Sequence, residues 1–286
     1  MTEYQTIIYE TPEDGIARIW LNRPEFANAQ NTLMLYELNN AFDQAMLDDE
    51  VKVVILAATG KHFSSGHDLN NTESVDHFDN VTSWSSKQSD GAEAYYAHEK
   101  EVYKGFCLRW RDLPKPTIAS VQGKAIAGGL MLVWPMDFVI AADNASFQDN
   151  TLFMGIPGCE YFAHVWELGM RKGKEFLLAG QPLDAADACE AGMVNHVVPA
   201  QELEQKTLEF ARSIADKPLF ALRLAKESLN AAFSAQGFDN VQRSAFNAHH
   251  LAHTHYRLTQ DGAYIDQSFM ERFKNKQTGK NSKHQP

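Results

Sequence analysis

Two glycine-bearing segments carry residue types and a spacing that can do chemistry with backbone alone. The first is Lys61-His62-Phe63-Ser64-Ser65-Gly66-His67-Asp68-Leu69; the second is Gly123-Lys124-Ala125-Ile126-Ala127-Gly128-Gly129-Leu130. Each follows a short apolar, β-branched run, Val51–Ala57 and Thr117–Val121. In the second, a strand running into glycines and then an apolar helix leaves unpaired helix N-terminal N–H groups that can hold an anionic oxygen. Side chains at 128 and 129 would block a close approach, and glycine permits it. The spacing is not the GxGxxG of a dinucleotide site, and no Lys-Ser/Thr follows the second glycine as in a phosphate loop. Taken alone, a glycine pair serves tight helix–sheet packing equally well.

Side chains suited to acid–base, nucleophilic or metal chemistry are more scattered. Ser64, Ser65, His67 and Asp68 are triad residue types, but they lie too close along the chain to be aimed at one another, and no GxSxG elbow is present. Cys159 with His164 is a conceivable nucleophile and base, with nothing else in the sequence to support it. His249, His250, His253 and His255 form a dense cluster in which 249 and 253 share one helical face. HExxH is absent and no acidic ligand is adjacent, so no metal is expected, and the cluster reads as a subunit interface or a solvated face.

The elements that must position these residues follow from pattern. Residues 4–10 and 15–21 read as strands joined at Glu13-Asp14-Gly15. Asn31-Thr32 caps a helix whose apolar face carries Met34, Leu38, Phe42, Ala45 and Met46. Val51–Ala57, Thr117–Val121, Phe138–Ala142 and Val194–Val198 read as strands, and residues 92–111 as a helix. Between Asp68 and Pro114 lies a long polar and aromatic region whose first half reads as a loop, a lid, pocket wall or surface insertion. Asp184–Gly192 carries good helix start and stop signals, and residues 200–215, 218–233 and 238–258 read as three further helices. Strands early, helices late and βα alternation between them indicate an α/β core followed by a helical C-terminal part.

Composition bounds the function. With Lys+Arg 26 against Asp+Glu 37 the net charge is −11, which argues against a nucleic-acid partner. A local basic cluster can still hold phosphates. The N-terminus lacks a basic and an apolar region, so no secretory signal is read, and no apolar stretch approaches a membrane span. Cys107, Cys159 and Cys189 are far apart, which fits a reducing cytoplasm.

FSSGHDL (63–69), GKAIAGGLML (123–132), LNRPEFANAQN (21–31) and AGMVNHVVP (191–199) together resemble, in order and spacing, the crotonase superfamily, the enoyl-CoA hydratase/isomerase family. The resemblance runs from Tyr4 to about Asn230 and implies a ββα spiral core over 1–198, a C-terminal helical trimerisation part over 199–273, and a disordered tail over 274–286. It implies a homotrimer or homohexamer acting on an acyl-CoA thioester, with no cofactor beyond the coenzyme A moiety. By position, the thioester oxygen would sit between the backbone N–H groups of His67 and Gly128. Removing an α-proton, or adding a nucleophile at the β-carbon, puts negative charge on that oxygen, and two fixed donors stabilise it more in the transition state than in the substrate. The same resemblance places coenzyme A along 25–29 and 65–69, with Glu25, Ala27, Ser65, Gly66, Asp68 and Leu69 in contact. It places Gly129, Met131 and Thr151 towards the acyl group. Arg23, Lys61 or Lys226 are candidate phosphate partners or ordinary solvated charges.

Hydratases of that family use two glutamates, whose positions here are Met131 and Thr151; neither side chain can carry a proton. The resemblance points instead to Glu160, in GIPGCEYFAH (155–164), as the acid or base; alternatively Glu160 caps the following helix. Asp149 reads as a turn residue, His164 as a packed or solvated histidine, and Asp68 as structural. Met131 and Phe153 read as walls of an apolar acyl pocket. The expected function is enoyl-CoA hydratase/isomerase-type chemistry through an enolate. Its rivals are an acyl-CoA hydrolase of the same fold, a non-catalytic acyl-CoA-binding protein, and a scaffold assembled through the histidine-rich helix.

Overall fold

A computed structural model of the chain describes residues 4–69, 75, 78–81, 84 and 91–268. The strands are β1 (Ile7–Glu13), β2 (Ile16–Leu21), β3 (Val53–Ala58), β4 (Thr117–Val121), β5 (Lys124–Ile126), β6 (Phe138–Ala142), β7 (Ser146–Gln148), β8 (Leu183–Asp184) and β9 (His196–Val198). β1 and β2 form an antiparallel hairpin turning at Gly15, whose φ of +80° suits glycine. From β2 onward the main sheet is parallel, in the order β1-β2-β3-β4-β6-β9. A second sheet has the order β5-β7-β8.

Both faces of the main sheet are covered, which is why β3 is buried along its whole length. Val54, Leu56 and Ala58 point into one core with α1 (Thr32–Leu47), while Val53, Ile55 and Ala57 point into another with Ala211 and Ile214. Asn31 starts α1 by accepting a hydrogen bond from the N–H of Met34 at 2.9 Å. The helix expected over 92–111 is present but not uniform: α2 (Gly91–Glu99) widens into a π-helical stretch (Lys100–Gly105) before α3 (Phe106–Arg111). Such widening shifts the side chains that follow and often accompanies a site. Then come α4 (His164–Ala179), α5 (Ala185–Glu190), α6 (Leu203–Ala215), α7 (Leu219–Ala235) and α8 (Phe238–Thr259).

The glycine pair opens a six-residue 3-10 helix, Ala127–Leu132, and Thr151 opens another, Thr151–Met154. One expectation is corrected. His249 and His253 lie neither on a solvated face nor outward at an interface: both are buried within the chain. The 274–286 tail and most of the 70–90 loop lie outside the described residues. Among the described residues no helix is long and apolar enough to cross a membrane.

Candidate active site

Three segments distant in sequence are stitched together by polar side chains. Buried Asn28 donates to the carbonyls of Thr59 and His62, both at 2.9 Å, and accepts from the N–H of Arg23 at 2.8 Å. Gln30 Nε2 donates to Ser64 Oγ at 3.1 Å and to the Gly128 carbonyl at 2.8 Å, and Ser64 Oγ donates to the Asn28 carbonyl at 2.8 Å. The segment 27–30 is thereby locked to both glycine segments.

That locking aims two backbone donors. The Gln30 N–H donates to the Gly66 carbonyl and the Asp68 N–H to the Gln30 carbonyl, a parallel bridge that leaves the N–H of His67 turned away from this pairing. Gly128 is the second residue of its 3-10 helix, so its N–H has no acceptor within that helix. The two donors' segments touch: a Cβ on Gly66 would lie 3.3 Å from the Gly128 nitrogen and 2.9 Å from the Ile126 carbonyl oxygen. A Cβ on Gly128 would lie 2.6 Å from the His67 ring, and one on Gly129 2.5 Å from the Ser64 carbonyl oxygen. The glycines are therefore required by close approach on this side.

Glu160 sits on a loop that buried polar groups shape. Asp149 Oδ1 accepts from the N–H and hydroxyl of Thr151, at 2.9 and 2.6 Å. Its Oδ2 accepts from the Cys159 N–H at 3.3 Å and pairs with His164 Nε2 at 2.7 Å. Burial alone would raise the Asp149 carboxyl, but the His164 bond and charge outweigh it and hold the carboxyl below its usual range. Thr151 Oγ1 also accepts from the Gly158 N–H at 3.1 Å. Asp149, Thr151 and His164 thus brace the Glu160 loop: Asp149 is the expected turn residue, its Oδ1 accepting from the N–H two residues on, and His164 is packed rather than solvated, 1% exposed. Glu160 does not cap α4, whose first residues follow Ala163.

The Glu160 carboxylate meets two side chains from distant parts of the chain, His67 and His249, and each of these touches a further residue. His67 Nε2 lies 3.3 Å from Glu160 Oε2, and the His67 ring stacks on Tyr103 from the π-helical stretch at 3.7 Å between centroids. His249 Nε2 of α8 lies 3.5 Å from Glu160 Oε1 and 3.6 Å from Glu99 Oε2 of α2. Burial pushes the Glu160 carboxyl upward, but the His67 and His249 charges outweigh it and leave it lowered. Glu99, buried and facing the Glu160 charge, is pushed up to about 8. Two carboxylates whose environments drive them apart are a recurrent mark of acid–base sites.

His249 and His253 approach each other at 2.9 Å between Nε2 atoms, while their Nδ1 atoms lie 2.9 Å from the Gly158 carbonyl and 2.6 Å from the Tyr264 carbonyl. Carbonyls only accept, so both Nδ1 atoms carry the proton. Two neutral rings would then face each other lone pair to lone pair, so a positive charge has to sit between them, either a second proton on one ring or a cation.

Other anticipated residues fall differently. Arg23 is buried against Asp68, at 3.0 Å, and Lys226 against Asp137, at 2.7 Å, so neither is a free phosphate partner. Lys61, Glu25, Ser65 and Leu69 are exposed, Ala27 is half-buried, and Gly66 lies buried beneath them. Met131 is packed in the main core. Phe153 is exposed, with its ring over Gly180. Glu99 and Tyr103, in the aromatic stretch before Pro114, carry no motif that marks them in sequence.

Comparison with known proteins identifies the architecture. The enoyl-CoA hydratase/isomerase family model matches residues 11–280. The Mycobacterium tuberculosis (strain ATCC 25618 / H37Rv) protein named "Putative enoyl-CoA hydratase EchA13" is 42% identical over 262 residues, 89% of this chain and 82% of its own length. A solved structure of a probable enoyl-CoA hydratase from Mycobacterium smegmatis is 44% identical with a TM-score of 0.82, covering 91% of this chain and 98% of that one. One from Mycobacterium thermoresistibile is 43% identical with the same TM-score of 0.82, covering 91% and 98%. The fold is the α/β crotonase fold, with two sheets and C-terminal helices.

Proposed function

The chain belongs to the enoyl-CoA hydratase/isomerase family, and from that premise we propose that it acts on an acyl-CoA thioester through an enolate, with Glu160 carrying the proton. The observation that carries this reading is the reach of His67: its backbone N–H is one expected oxyanion donor, and its ring contacts Glu160 at 3.3 Å. A group that moves a proton at the α-carbon has to lie close to the donors that hold the thioester oxygen.

In this reading the thioester carbonyl lies between the N–H groups of His67 and Gly128. Glu160, held as a carboxylate, takes the α-proton. The C–H electron pair moves into the carbonyl, giving an enolate whose oxygen the two N–H groups stabilise. Returning the proton elsewhere on an unsaturated acyl chain gives an isomer; in hydration the enolate forms instead when water, losing a proton to Glu160, adds at the β-carbon of an enoyl thioester, and a proton is then delivered to the α-carbon. A low-lying carboxyl is a weak base, so most of the rate has to come from the oxyanion donors; losing one such donor typically costs on the order of 10²–10³ in rate. Met131 is packed in the core, and the Thr151 hydroxyl is spent on Asp149, so neither supplies a proton and the paired-glutamate route is not part of this proposal. Coenzyme A would run along 25–29 and 65–69, with the exposed Lys61 as a phosphate partner.

The C-terminal helices carry the assembly in this reading. Phe220, Leu224 and Leu229 on α7 and Leu251 and Leu258 on α8 are exposed, as expected of a trimer or paired trimer.

The test is α-deuterium incorporation into saturated and unsaturated acyl-CoA thioesters in D₂O, read by mass spectrometry. Exchange that disappears in Glu160→Gln supports the enolate and its base. Thioester binding without exchange in the wild type would leave an acyl-CoA-binding protein.

A further inference from the structure

The buried cluster behind Glu160 satisfies the requirements of a metal centre. His249 and His253 stand at i and i+4 on α8, so both rings leave the same helical face. Their Nε2 atoms converge with the Glu99 carboxylate from α2: His249 Nε2 is 3.6 Å from Glu99 Oε2, and His253 Nε2 is 3.7 Å from Glu99 Oε1. The ligand atoms of all three lie within 4.8 Å of one another. Donors at about 2.0–2.2 Å from a tetrahedral ion lie roughly 3.4 Å apart. Two separations already match, and the 2.9 Å pair of nitrogens has to open by only a few tenths of an ångström.

Three further features point to a ligand. Glu99 is 5% exposed, and its Oε2 lies among the histidines, 3.1 Å from His250 Nε2 and 3.6 Å from His249 Nε2, without a well-directed hydrogen bond among the described residues. Both Nδ1 atoms donate to backbone carbonyls, the outer-shell arrangement that fixes a metal-binding tautomer and turns each bare Nε2 inward. Glu160 Oε1 lies 3.5 Å from His249 Nε2, close enough to supply a further oxygen.

We propose that Glu99, His249 and His253 bind a divalent transition-metal ion of the Zn²⁺ class, tying α2 and α8 together behind the Glu160 loop. Two imidazoles and a carboxylate suit Zn²⁺, whereas Ca²⁺ and Mg²⁺ prefer all-oxygen shells. The ion takes the place between the two facing Nε2 atoms that a second proton on one ring would otherwise fill. The site does not rest on the acyl-CoA reading, because metal binding is measured without substrate.

The experiment uses the full-length protein, stripped with chelator, reloaded with Zn²⁺ and passed through gel filtration. Metal content is read by plasma mass spectrometry and the zinc shell by X-ray absorption. The expected result is one Zn²⁺ per chain in a shell with two imidazoles. His249→Ala and His253→Ala should each lower Zn²⁺ affinity by at least about 100-fold, while His255→Ala, an exposed neighbour on the same helix, leaves it unchanged. No zinc retained by the wild type, a shell without imidazole, or an equal loss in His255→Ala overturns the proposal. Because the absorption spectrum of the wild type decides the ligand types, a variant that fails to fold does not obscure the answer.

Discussion

His67 touches Glu160 through its ring, Nε2 to Oε2 at 3.3 Å, while its backbone N–H is left outside the bridge that Gln30 makes to Gly66 and Asp68 on either side of it. One residue therefore links a backbone donor to a buried carboxylate, and the two roles separate by substitution. His67→Ala keeps the N–H and loses the ring; Glu160→Gln keeps the shape and loses the charge. Glu160→Gln is expected to lower kcat by about 10²–10⁴ with little change in KM, the range of a general base. His67→Ala is expected to lose less, because the peptide donor survives. Steady-state kinetics and α-exchange check both, and an undiminished exchange rate in Glu160→Gln would remove it from the reaction.

The close approach of the glycine segments predicts a graded response. At Gly129 the added Cβ meets backbone, the Ser64 carbonyl oxygen at 2.5 Å, whereas at Gly128 it meets the His67 ring at 2.6 Å. Backbone yields less readily than a ring. Gly129→Ala is expected to destabilise by about 1–3 kcal/mol, the usual cost of overpacking. Gly128→Ala is expected to unfold at nearly the wild-type denaturant midpoint and yet to lose turnover, because the added methyl crowds the His67 residue and with it the two backbone donors. Urea melts and kinetics on the two variants distinguish these outcomes.

Asp149 and His164 form a pair that solvent does not reach, 0% and 1% exposed. Asp149→Ala strips the partner from His164, Thr151 and the Cys159 N–H at once, and should cost about 3–5 kcal/mol. The pH dependence has a definite sign. The folded carboxyl lies below its unfolded value of about 3.9, so its contribution is complete above that pH and is lost as pH falls through the lower folded value. Asp149→Asn lacks this contribution, so the stability gap between wild type and variant should close below about pH 4. A gap that widens in acid would contradict the assignment.

Lys226 donates to Asp137 at 2.7 Å and to the Lys115 carbonyl at 3.1 Å. Lys226→Ala should therefore lower the melting temperature and leave the affinity for coenzyme A thioesters unchanged, as calorimetry would show. Lys61→Ala, at an exposed position, should do the reverse, leaving stability intact and weakening binding several-fold.

What the sequence determined by itself is the local and periodic part. Asn31 reads as a cap because an Asn side chain can satisfy an orphan N–H, and it does. Thr117–Val121 and Phe138–Ala142 read as strands from their apolar, β-branched runs, and both occupy those residues. Gly66, Gly128 and Gly129 are legible as places of close approach because glycine alone lacks a Cβ. The sequence also shows that His249 and His253 share a helical face, since 3.6 residues per turn requires it. What that face meets is decided only in three dimensions. Glu99, Glu160, His67 and α8 arrive from four separate stretches of chain, and their convergence depends on how α8 packs, which no local pattern encodes. The same holds for Arg23 and Lys226: a cation reads as solvated until the fold buries it against a carboxylate, and half-buried Asp68 and Asp137 supply one each. Protonation follows last, because burial and neighbouring charge arise from packing; that is why Glu99 and Glu160, alike in sequence, are driven in opposite directions.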